Sequence, residues 1–110
     1  MSTPPATLLA SVIFNLQEQP LLHDESIWHN GRRGSIAGWV CVAAGAAINT
    51  VGSKSWPVYR EKPRGFLELA TEILGLTAEQ AEQVLCQEEP EDALREARSM
   101  LVTLRGKAHP

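Results

Sequence analysis

The sequence predicts an all-α fold: a compact bundle of about five helices around a buried small-residue central helix, with one long loop or short extended segment. Three observations predict it. Apolar residues recur at helical spacing in several separate segments. Those segments are punctuated by helix-starting hydroxyls and prolines and by helix-ending glycines and prolines. Between them, Trp39 leads into the uncharged run Val40-Cys41-Val42-Ala43-Ala44-Gly45-Ala46-Ala47-Ile48. A helix that is apolar nearly all round belongs at the centre of a fold.

The elements follow in order. Thr3-Pro4 supplies a hydroxyl cap and a proline at the first helical position. Leu8, Leu9, Val12, Ile13 and Leu16 then form one apolar stripe, and Pro20 ends the helix. Leu21 to Asn30 is a connector, and Gly31-Arg32-Arg33-Gly34 is a loop, because two glycines three apart disfavour helix. Ser35 caps a central helix expected over Ile36 to Ile48. Each glycine in it costs about 1 kcal/mol of helicity relative to alanine, so its compensation must be tertiary. Ala37, Cys41, Ala44 and Gly45 give it a small-residue face for close helix approach. Asn49 to Pro63 reads as a long ordered loop, since Trp56-Pro57-Val58-Tyr59 is β-prone but interrupted by proline. Pro63 opens a third helix with Phe66, Leu67, Ala70, Ile73 and Leu74 inward and Gly75 as a left-handed end. Thr77-Ala78-Glu79-Gln80 is a capping box for a fourth helix carrying Ala81, Val84 and Leu85. Pro90 opens a fifth with Ala93, Leu94, Ala97, Leu101 and Leu104 inside, and residues from Gly106 onward are expected to fray.

Composition bounds the function. The 110 residues, 44% apolar and 21% charged, suit a single domain over residues 1–110 and argue against disorder. A net charge of −3 excludes a global attraction to nucleic acid or anionic membrane. The acidic excess lies in residues 61–110, with ten acidic against six basic side chains, whereas residues 1–60 hold three against four. Cys41 and Cys86 are too few for a disulfide scaffold and read as small buried hydrophobes. The N-terminus has no basic segment before its apolar residues and no small-residue cleavage site. The apolar part of the 34–53 run is about sixteen residues, short of the ~20 that span a bilayer. A cytoplasmic protein without membrane contact is expected.

Asn30-Gly31-Arg32-Arg33-Gly34-Ser35-Ile36-Ala37-Gly38-Trp39, with Trp28 upstream and Leu74-Gly75-Leu76-Thr77 downstream, resembles a group of small, uncharacterised bacterial and phage proteins. Their hallmark is C-G-T-x-x-C-x-A-G-W before a small-residue helix. Asn30 and Ser35 stand where that group has its two cysteines, and Arg32 where it has threonine. No disulfide or metal role of the pair therefore carries over. The resemblance implies a fold and a phage or bacterial setting, and no reaction.

The candidate sites are few. Gly31-Arg32-Arg33-Gly34-Ser35 before a helix offers N–H groups and guanidiniums to an anion, yet lacks the G-K-[ST] of a phosphate loop. Its alternative is a solvated turn paired with acidic side chains. His23, Asp24, Glu25 and His29 fit no standard metal spacing and read as surface residues of the connector. No nucleophile–base constellation is recognisable, so neither enzymatic activity nor a cofactor is expected. Trp28, Trp39 and Phe66 read as core, while Trp56 and Tyr59 either cover the core or form a contact surface. The stretch Phe66 to Cys86 superficially resembles a helix-turn-helix, but Glu79 and Glu82 on its second helix would repel phosphates. The expected function is a non-enzymatic phage- or prophage-type accessory protein. Its expected partner is an unidentified protein, bound through Arg32, Arg33, Trp56, Tyr59 and Arg60. The alternative is a nucleic-acid-binding or regulatory protein using Arg32, Arg33, Arg60, Lys62 and Arg64.

Overall fold

A computed structural model describes residues 3–108. Among these residues five α-helices are joined by an antiparallel three-stranded sheet, so the fold is mixed α/β and the all-α expectation is overturned. Helix α1 spans Pro5–Glu18 and buries the predicted stripe of Leu8, Leu9, Val12, Ile13 and Leu16. Its capping position is Pro4 rather than Thr3, with no side-chain cap bond. A 3-10 turn, Pro20–Leu22, leads into the connector.

Helix α2 is Ile36–Ala43, shorter than expected. Gly45 takes φ +102, its N–H donates to Val42 O (2.9 Å), and Ala46 N–H donates to Cys41 O (3.0 Å). These paired bonds around a left-handed residue are a Schellman ending. Gly45 is thus a stop signal, not part of a small-residue helix face, and the chain leaves it extended.

The segment expected as a loop is a meander. Strand β1 (Ala47–Val51) pairs with β2 (Lys54–Tyr59), which pairs with β3 (Lys62–Pro63). Pro57 does not interrupt it. Val51 and Lys54 flank a two-residue turn, and bonded and unbonded pairs alternate outward from them. Pro57 falls opposite Ile48, an unbonded pair, so its missing N–H costs the β1–β2 ladder nothing. The second turn, Arg60–Glu61, has φ values of +53 and +68. Two consecutive left-handed residues are the hairpin-favoured conformation, here built without glycine or asparagine. Cross-strand partners share a face. Ile48, Pro57 and Tyr59 therefore lie on one side, which packs on the core, and Asn49, Val51, Trp56 and Val58 on the other.

Helix α3 is Phe66–Leu74, capped by Gly65, and Pro63 belongs to β3 instead of opening it. Gly75 ends α3 as predicted, with Leu76 N–H donating to Thr71 O (3.0 Å). Phe66, Leu69, Ala70 and Leu74 are the buried residues of α3, while Leu67 and Ile73, expected inward, are half-buried. Helix α4 (Ala78–Leu85) starts on the predicted capping box of Thr77 and Gln80. Helix α5 runs Pro90–Ala108, so it does not fray at Gly106, and residues 109–110 lie outside the described range. Helix α1 packs on α2 and α5, α2 on α3, and α4 on α5. No described helix is long and apolar enough to cross a membrane. Both cysteines are free thiols: Cys41 is buried, but Cys86 is exposed, contrary to its expected burial.

Candidate functional site

The connector is wound tightly around the start of α2. Gly34 N–H donates to Leu22 O and Asp24 N–H to Gly34 O, each at 3.0 Å. Ser35 N–H reaches the carbonyls of Ile27 and Trp28, and the Ser35 hydroxyl accepts from Gly38 N–H (3.2 Å) as the expected cap. The glycines here are required by space. A Cβ on Gly38 would lie 1.9 Å from Trp28 O, and one on Gly34 would lie 2.3 Å from the same atom. Gly34 and Gly38 therefore mark a close backbone crossing in this chain.

Three of the connector's four titratable side chains, His23, Glu25 and His29, are inside and not on the surface as expected, while Asp24 is half-exposed. His23 Nε2 stands 2.6 Å from Glu25 Oε2, with side chains 2% and 1% exposed. The same carboxylate oxygen accepts Ile36 N–H at 2.9 Å. Glu25 thus supplies the negative charge that the positive end of a helix favours. The N–H groups of Ile36 and Gly38 are taken by Glu25 and Ser35, so the site read as an anion cradle is occupied by the chain's own oxygens. His29 accepts Gly31 N–H at Nδ1 (2.9 Å), which leaves the proton on Nε2. That nitrogen is buried without a partner, and the ring sits edge-on to Trp39 with centroids 4.4 Å apart. Burial pushes the His29 pKa down, holding the imidazole neutral. Trp39, half-buried, donates from Nε1 to Leu22 O (2.9 Å). Among the described residues no three His, Cys, Asp or Glu side chains are grouped to hold a metal ion.

Arg32 and Arg33 are exposed on the turn outside this clasp, and both backbone N–H groups donate to Asn30 Oδ1. Arg33 Nε lies 3.8 Å from Asp24 Oδ2. The Asp24 carboxyl is held below the usual carboxylate range, chiefly by hydrogen bonds from the Ser26 hydroxyl and N–H and in smaller part by Arg33. Arg64 is committed to Glu68 and Glu72, whose carboxylates raise its pKa. It is not a free cation for phosphate.

Of the five residues expected to form one surface, three line two separate hollows, and Arg32 and Arg33 line neither. Trp56 and the turn residue Asn30 line a groove of about 750 Å³ together with Trp28 and Lys54. Tyr59 and Arg60 line a separate hollow of about 550 Å³ with Ala43, Glu72 and Ile73. There the Arg60 guanidinium carbon lies 5.2 Å from the Tyr59 ring centroid. Trp28 is the residue that sequence reasoning misplaced. It stacks on Phe66 (centroids 6.3 Å apart, planes at 14°) yet is 41% exposed, so it is both core cover and groove wall. It sits in an aperiodic connector, where no repeat assigns a side chain to a face. No family model, curated protein or solved structure matches the chain.

Proposed function

We propose that this chain is a small accessory protein without an enzymatic role that acts by protein–protein contact, in the phage or prophage setting to which its sequence resemblance points. The observation that carries this reading is the groove between the connector and the β1–β2 hairpin, lined by Trp28, Trp56, Asn30 and Lys54. Indoles offer a large rigid contact area at little entropic cost and are favoured anchors in interfaces. Lys54, with Arg32 and Arg33 on the neighbouring turn, gives the groove a basic rim suited to a partner with an apolar anchor and acidic flanks. His23 and Glu25 are spent on holding the start of α2, which favours a binding role over acid–base chemistry.

The test is a tagged capture from lysate, split into nuclease-treated and untreated halves, with Trp56→Ala and Trp28→Ala compared with wild type. A specific protein retained in both halves and lost with either substitution, in variants whose melting shows them folded, is the expected result. Capture unchanged by both substitutions overturns the groove. Recovery that collapses with nuclease and falls steeply with salt moves the function to nucleic acid. Parallel Tyr59→Ala and Arg60→Ala variants report whether the second hollow contributes.

A further inference from the structure

The sheet has two edges that differ in kind. The β3 edge is two residues long, and they are Lys62 and Pro63. A short strand, a charge and a proline are the devices that keep an edge from pairing. The β1 edge is Ala47-Ile48-Asn49-Thr50-Val51, with no charge, no proline and four of its five residues exposed. Three of the five are β-branched, and Val51 is 67% exposed.

The register fixes which backbone groups this edge presents. Val51, Asn49 and Ala47 are the bonded pairs toward β2, so Ile48 and Thr50 turn their N–H and C=O groups outward. Among the described residues no hydrogen bond to another segment uses any of these four groups. What satisfies such a row is an extended strand.

We infer that the β1 edge pairs antiparallel with the β1 edge of a second copy of this chain, about a two-fold axis through Asn49. On that axis Ile48 faces Thr50 of the second copy, and Thr50 faces its Ile48. Each such pair exchanges two bonds, so the four outward groups of both copies are satisfied together. Ala47 meets Val51 of the second copy, and the two Asn49 carboxamides meet each other. No charged side chain lies on β1, and the acidic excess belongs to residues 61–110, so the approach brings no like charges together. The product is a six-stranded sheet, β3-β2-β1-β1-β2-β3, whose remaining edges are both the guarded β3. An interface that closes on itself in this way is isologous. The inference does not rest on the groove reading, because its test measures self-association and not capture.

The experiment is sedimentation velocity over a wide concentration range, with amide hydrogen exchange followed at Ile48 and Thr50. A concentration-dependent dimer is expected, with those two amides protected only where dimer is populated. Asn49→Lys places two ammonium groups across the axis and should weaken the dimer by roughly fivefold or more. Asn49→Asp should do the same, and mixing the two variants should restore a dimer. Asn49 is exposed at the sheet edge, so both variants are expected to melt as wild type does at concentrations where wild type is monomeric. A chain that stays monomeric with both amides unprotected overturns the inference. So does a dimer that neither substitution weakens.

Discussion

The connector before α2 and the meander after it are of similar length and similarly rich in polar, glycine and proline residues. They use them in opposite ways. The connector turns its polar groups inward: Glu25 serves both His23 and Ile36, Ser35 caps Gly38, and Asn30 holds the arginine turn. The meander turns its unused groups outward, with Trp56 and Lys54 on a groove and the free side of β1 in solvent. His23, Glu25 and His29, expected on the connector's surface, are therefore inside the clasp that positions α2. The stretch expected as a long loop with contact residues is a sheet whose outer face and free edge stay open to solvent.

That contrast can be broken by substitution, most severely in the clasp. Gly38→Ala should cost more than ~3 kcal/mol in urea unfolding, because its Cβ would meet backbone that has nowhere to move. Comparable stability to wild type would show that the crossing at Trp28 is not tight. Glu25→Ala, which strands a buried histidine and a helix N–H, should cost about 2–3 kcal/mol by the same measurement. A loss below a few tenths would mean the pair is dispensable.

A smaller effect concerns pH. His29 has its folded pKa depressed by burial, so below about 6.5 the unfolded chain binds a proton that the folded chain refuses. Stability should therefore be full above that value and fall as pH drops through it, by at most ~1.4 kcal/mol per pH unit for this group. His29→Phe should flatten that slope between pH 7.5 and 5.5, whatever it does to the absolute stability, and an unchanged slope would assign it elsewhere. In the meander the sign reverses. Glu61→Gly relieves a left-handed residue at an exposed turn and should stabilise by about 0.5–1 kcal/mol, seen as a raised melting temperature. A destabilised variant would show that the Glu61 side chain contributes something its exposure hides.

What was legible in the sequence follows the same division. Helices α1, α3, α4 and α5 were readable because periodicity and end signals agree, as at Thr77-Gln80 and Gly75. The sheet was not. Gly45 is a helix end embedded in alanines, indistinguishable by composition from a small packing face. The Arg60–Glu61 turn lacks the glycine or asparagine that announces such turns, and Pro57 is harmless only because of a register that the sequence does not display. Trp56, expected either to cover the core or to form a contact surface, is half-buried on the groove, and Trp28, expected in the core, is its 41% exposed companion. Burial of His23 and His29 depends on contacts with Gly34, Ser35 and Trp39, which no local spacing reveals.

The two thiols divide the molecule along another line. Cys41 is fully buried, donates to Phe66 O and has its pKa pushed up to about 12 by burial, whereas Cys86 faces solvent. Thiolate is the reacting species, so in the native chain alkylating and oxidising reagents will find Cys86 alone. The natural sequence thus carries a single labelling handle, and the time at which Cys41 begins to react is a clock for opening of the core.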